Sequence, residues 1–206
     1  MEEWLVVDAC DGTVPARTVT GTAAAGSVHV PHRDPRRMGL AIGEGQEGAP
    51  LRWGCRGSGA LTVDRFRDED RVPVAVSPSG ERLLTVTHHQ GTLSVLRVDD
   101  GSVETELHAD LLPAHAAVAA DNDDAQVFFD YEGGFVDENR AVVGTVESDE
   151  EFGDGRHWLV DLAASQVTGQ IVYPFPVTGL PHALGDGTWF TTSPHDDAVH
   201  VWARDE

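Results

Sequence analysis

The stretch VPVAVSPSGERLLTVTHHQGTLSVLRVDDGSVETEL, Val72 to Leu107, sets the reading of the whole chain. Val74-Ala75-Val76 stops at Ser77-Pro78-Ser79-Gly80. Leu83 to Val86 stops at His88-His89-Gln90-Gly91, and Leu93 to Val98 stops at Asp99-Asp100-Gly101. A weaker run, Val103 to Leu107, follows. Short β-rich runs between clusters of Gly, Pro, Asp and Ser predict a four-stranded antiparallel meander.

The same unit recurs. GFVDE-NRAVVGTVE…RHWLVDL and HALGDGTWFTTSPHDDAVHVWAR lie over it, and SVHVPHRDPRRMGLAIGEG…LRWGC is a poorer copy. With Val28, Val76, Phe135 and Leu184 taken as equivalent, the spacings are 48, 59 and 49 residues, the longest holding an acidic insertion. Continuing past the C-terminus and round to Val28 gives a similar interval. A fixed period of this length is the signature of a repeat architecture. A four-stranded sheet cannot bury both faces alone, and stacking sheets radially does so while leaving short edges.

Elsewhere the runs are also short. Trp4 to Asp8, Ala16 to Thr20, Leu51 to Cys55 and Leu61 to Phe66 read as strands, with the charged Arg67 to Arg71 as a connection. Val127 to Tyr131, Ala141 to Val146, Trp158 to Leu162, Val167 to Tyr173, Thr188 to Thr192 and Ala198 to Trp202 continue the pattern. His115 to Ala120 (HAAVAA) predicts one helical turn, and no amphipathic segment is long enough for a substantial helix. The fold class expected is all-β.

With 35 acidic against 14 basic residues, the chain carries a net charge of -21. That balance argues against nucleic acid or an anionic membrane surface as partner. Every basic residue is Arg and none is Lys, a bias expected of a GC-rich, actinobacterial genome. No run approaches the length of a membrane span, and Met1-Glu2-Glu3-Trp4 lacks the features of a signal peptide, so a cytoplasmic location is expected. Cys10 and Cys55 are too few for a disulfide framework and are expected to be free, buried thiols.

The chain resembles WD-repeat β-propellers, whose blades read like FSPDG…LLATGS-DGTVRLWD. Val76-Ser77-Pro78-Ser79-Gly80 matches the first part. Gly91-Thr92-Leu93-Ser94-Val95-Leu96 and Asp197-Ala198-Val199-His200-Val201-Trp202 match the second, and Trp158 to Leu162 is a similar third-strand fragment. The resemblance implies one propeller-like domain over residues 1–206, with about four four-stranded blades. Strand 4–8 would complete the last blade. If WLVVD instead pairs with ARTVT as a third-and-fourth-strand hairpin, there is a partial fifth blade, and the alternative is a partial ring that two chains build into a larger one.

Several motifs reduce to loops. Gly43 to Gly48 fits GxGxxG but leads into Ala49-Pro50 and a strand rather than a helix that could hold a phosphate. Asp121 to Asp124 with Glu132 echoes a calcium loop but lacks its central glycine. There is no GxSxG, HExxH or CxxC. The loops between second and third strands are more informative. They carry Glu44 and Glu47, then His88-His89, then Asp149 to Asp154, then His195-Asp196-Asp197. Such loops lie on one face of a propeller, where imidazoles and carboxylates could converge on a ligand or a divalent metal. His88, His89, His195 and Asp196 are therefore the candidate ligand residues. Arg65, Arg67, His88 and Phe175 are candidate partner contacts. What the resemblance implies is a non-enzymatic scaffold that binds a protein or peptide, without a cofactor, as a monomer or as a homodimer if the ring is incomplete. The alternatives are a metal-assisted hydrolase of lactonase type using the loop His and carboxylates, and a remnant of a larger scaffold.

Overall fold

The computed structural model describes residues 3–20, 26–43, 48–121, 124–147, 156–193 and 198–204. It divides into two compact units, residues 1–73 and 74–206.

The first unit opens with a hairpin of β1 (Glu3–Val6) and β2 (Ala16–Val19), Trp4 facing Thr18 and Leu5 facing Arg17. This is the hairpin reading of WLVVD and ARTVT. An antiparallel meander follows: β3 (Ser27–Pro31), β4 (Arg37–Ile42), β5 (Pro50–Arg56) and β6 (Leu61–Val76). It is the copy that the sequence showed least clearly. Leu40, Ile42 and Leu51 are fully buried in it. Strand β6 runs unbroken through Arg67 to Arg71, where the sequence predicts a connection. Asp70 pairs with Pro50, and Arg71 and Val72 are buried. The thiols differ from expectation as well: both are free, but Cys10 is exposed and Cys55 half-buried.

The second unit holds three stacked sheets. In the first, the end of β6 pairs with β7 (Arg82–Thr87), followed by β8 (Thr92–Arg97) and β9 (Val103–His108). These are the runs legible in the opening stretch. A 3-10 turn at Ala109–Leu111 and a short helix α1 (Ala116–Asp121) lead on. The helix is the single turn expected of the alanines. The second sheet is β10 (Val127–Phe135), β11 (Arg140–Glu147), β12 (Arg156–Asp161) and β13 (Gln166–Gln170). The third is β14 (Thr178–Ala183), β15 (Thr188–Thr192) and β16 (Val199–Ala203), with β15 the partner of β16 among the described residues.

Period-2 alternation sends successive side chains to opposite faces, and both faces of β7 and β8 are buried. Leu84, Val86 and Leu93 meet Phe129, Val143 and Trp158 in the seam between first and second sheets. On the other face of the second sheet, Val136, Val142 and Leu159 meet Trp189, Ala183 and Trp202 of the third. Each such side chain contributes roughly 1.5–3 kcal/mol by leaving water. The indole N–H groups that enter these seams are satisfied. Trp158 donates to the Thr145 hydroxyl and Trp202 to the Thr191 hydroxyl, both at 2.9 Å.

Polar clasps join the same sheets. The Glu138 carboxylate, in the turn between β10 and β11, accepts from the Ser79 backbone N–H and from Arg82, whose guanidinium also donates to the Glu138 carbonyl. Partial burial pushes the Glu138 carboxyl up, but these bonds outweigh it and its pKa lies below the ordinary value. Gln90, at φ 58°, accepts from the Phe129 N–H at 2.8 Å and donates its side-chain amide to the Phe129 carbonyl at 3.0 Å. No described helix is long and apolar enough to cross a membrane.

Candidate functional site

The loops singled out in the sequence do connect second to third strands: β4 to β5, β7 to β8, β11 to β12, and β15 to β16. Glu44, Glu47, Asp149 to Asp154, His195, Asp196 and Asp197 lie outside the described residues. His88 and His89 are exposed in the β7–β8 loop, their rings 5.7 Å apart and edge-on. The His88 carbonyl accepts from the Tyr131 hydroxyl at 2.5 Å, which anchors the pair to the second sheet.

Arg65 and Arg67 stand on β6 rather than in a loop, Arg65 opposite Arg52, and their side chains lie outside the described residues. Phe175 is 42% exposed in the segment linking β13 to β14, its ring 4.6 Å from His200 and 5.4 Å from Trp202. Of the calcium-loop echo, Asn122 and Asp123 lie outside the described residues; Val127 to Glu132 is strand, and Glu132 faces the His182 imidazole at 3.8 Å. Among the described residues no three His, Cys, Asp or Glu side chains form a group able to hold a metal ion. Of the loop His and carboxylates expected to converge, His88 and His89 alone are described.

A groove of about 390 Å³, which the sequence did not reveal, opens where the β7–β8 loop ends at Gly91; His88 and His89 are not among its lining residues. The end of β9 and the turn after it supply His108, Ala109, Asp110 and Leu112. Ala125 and Gln126, just before β10, line it with Val127 and Phe128 of that strand and with Gly91. The antiparallel register explains why these ends coincide. Thr92, just past the loop, pairs with His108, and the Phe129 N–H reaches Gln90. Ala109, Leu112 and Val127 are buried and make an apolar floor. His108, Asp110 and Gln126 are exposed at the rim. The His108 ring lies 3.3 Å from the Thr92 hydroxyl and 3.6 Å from the Glu106 carboxylate.

A second polar feature ties the second sheet to the third. His157 on β12 is 3% exposed, with Nε2 3.2 Å from the Gly179 carbonyl. A carbonyl only accepts, so Nε2 carries the proton. Nδ1 then accepts from the Tyr173 hydroxyl at 2.8 Å, and that oxygen accepts from the Trp189 indole at 3.1 Å. Burial holds the His157 pKa below its ordinary value, the Gly179 carbonyl partly opposing. Burial also pushes the Tyr173 hydroxyl up to about 12, the Trp189 N–H opposing. The folded protein therefore keeps His157 neutral. The unfolded chain takes up a proton near pH 6.5, so stability is full above that pH and falls as the pH drops below it, towards the folded pKa. The stability gap between wild type and His157→Gln is expected to be wider at about pH 7.5 than at about pH 5.5 in urea titrations. An equal gap at both would contradict a neutral, buried His157.

No family model matches the chain, and no curated protein matches it. Among solved structures it is similar to a protein described as a TolB from Agrobacterium tumefaciens, with TM-score 0.55 and 13% identity over 87% of this chain and 61% of that one. It is also similar to TolB from Acinetobacter baumannii, with TM-score 0.47 and 12% identity over 86% of this chain and 43% of that one. The chain thus spans about three-fifths of the length of the first of these proteins. At such identity the likeness is one of fold, and with the stacked antiparallel sheets it makes this chain an all-β protein of TolB-like, β-propeller-like architecture.

Proposed function

We propose that the chain is a non-enzymatic, WD-like propeller scaffold that binds a protein or peptide segment in the groove lined by Gly91, the turn after β9 and the start of β10. The observation that carries this reading is the groove itself: an apolar floor with a few polar groups at its rim, at the loop end of two rigidly packed sheets. Concave, largely preformed sites of this kind are where ligands dock, and loops and strand ends on a firm scaffold are where binding residues concentrate. The propeller-like fold agrees with a scaffold role by analogy alone. Val76-Ser77-Pro78-Ser79-Gly80 and Asp197 to Trp202 remain the residues that favour the WD-like assignment.

Gly91 offers a direct test. Gly91 lines the groove and a Cβ built there meets nothing within 4 Å, so Gly91→Trp is the substitution chosen to set an indole at the lining. Peptides selected by display on the wild-type chain are expected to bind this variant at least about tenfold more weakly, while its unfolding midpoint stays close to wild type. Selected peptides that bind both proteins equally would show that they dock elsewhere and would overturn the reading.

A further inference from the structure

We propose that the segment taken by this groove presents a basic side chain, arginine or lysine, to Asp110. The inference rests on the binding role proposed above and adds the chemistry of the ligand. Asp110 lines the groove, and among the described residues its carboxylate has no ion pair or hydrogen bond. None of the residues lining the groove is an arginine, and the chain has no lysine. The Arg156 guanidinium is engaged elsewhere, donating to the Pro113 carbonyl at 2.7 Å and lying 5.1 Å over the Trp158 ring. His108, the one lining residue that can become cationic, already faces Glu106 and Thr92.

A carboxylate beside an apolar floor suits an amphipathic cation. The aliphatic stem of Arg or Lys covers apolar surface while its charged head stays at the polar rim. Phe128, half-buried in the lining, provides such a surface above the buried Leu112 and Val127. A guanidinium can also meet the carboxylate with two parallel N–H bonds. The net charge of -21 disfavours an acidic segment and speeds the approach of a basic one.

The test uses the full chain and synthetic peptides selected on it, each made a second time with citrulline, a neutral isostere, in place of arginine, or with norleucine in place of lysine. Binding is read by fluorescence anisotropy against wild type, Asp110→Asn and Gly91→Trp. Neutralising the peptide and replacing Asp110 are each expected to weaken binding by roughly two- to fivefold, the range for an exposed ion pair. The two changes together should weaken it little more than either alone, because they remove the same contact. If Gly91→Trp abolishes binding but the neutral peptides and Asp110→Asn bind as wild type, the groove reading stands and the basic-ligand inference falls. If Gly91→Trp leaves binding intact, both fall.

Discussion

Replacing Phe129 with alanine is expected to destabilise the second unit by about 3–5 kcal/mol, the range for removing a fully buried aromatic ring. Phe129 is the largest of the fully buried side chains, at 0% exposure, in the seam between first and second sheets. Its surroundings are held from two sides and cannot collapse freely into the space it would leave. Leu84, Val86 and Leu93 belong to one hydrogen-bonded sheet, Val143 and Trp158 to the other. The Phe129 backbone is also fixed, since its N–H and carbonyl both bond Gln90. A loss of this size is a large fraction of an ordinary domain's total stability. The neighbour Phe128 supplies the control. Alternation turns it to the other side of β10, where it is half-buried and lines the groove, so Phe128→Ala should cost clearly less. Urea unfolding followed by tryptophan emission checks both. Equal, small losses would mean that the seam is not packed as described.

Gly133→Ala is expected to cost about 3 kcal/mol or more, through the backbone and not through lost contacts. Strand β10 pairs with β11 in one register up to Phe129 and in a shifted one from Gly133 onward. Gly133 sits in that irregularity at φ 145°. A Cβ there would collide with the Val142 carbonyl oxygen and come within 3.0 Å of the Val143 Cα, both backbone atoms of the neighbouring strand. Backbone cannot swing aside as a flexible side chain can, so the strand must shift or the bulge must open. A β-bulge re-aims the strand that carries it, and here the chain continues to the contacts with the third sheet, where Gly134 packs against Ala183 and Val136 meets Trp189. Gly169→Ala serves as a comparison, since a Cβ at that position meets nothing within 4 Å despite its φ of 157°. A Gly133 variant as mild as the Gly169 one would contradict the close strand approach.

The fold was legible where the chain alternates cleanly between apolar runs and turn residues. Ser77 to Gly80, His88 to Gly91 and Asp99 to Gly101 end strands because Pro78, Gly80 and Gly101 enforce or permit the turns, with Gly80 at φ 83° and Gly101 at φ 69°. Strand β6 was cut short in the sequence because Arg67 to Arg71 is charged, and charge clusters usually mark loops. The backbone nonetheless stays extended across it, held by β5 on both sides: Arg65 pairs with Arg52 and, past a register shift, Asp70 pairs with Pro50.

The candidate site was much less legible. The loop positions of His88 and His89 follow from strand order, but His108, Asp110 and Gln126 look like ordinary strand-end polar residues. Only the register between β8 and β9, and the stacking of the next sheet, bring them to one groove. The His157 network was hidden for the same reason: its partners Tyr173, Gly179 and Trp189 come from a linking segment and two strands of another sheet. One sign was present in the sequence: His108 and Asp110 stand directly between the Val103 to Leu107 run and Leu112-Pro113.

Hydrogen exchange of the full chain with and without a selected, arginine-bearing peptide tests the account most directly. The expected result is new protection of the amides of His108 to Leu112 and Gln126 to Phe128, lost in Gly91→Trp. Protection confined to other segments, such as β16 or the Phe175 linker, would contradict the groove as the binding site.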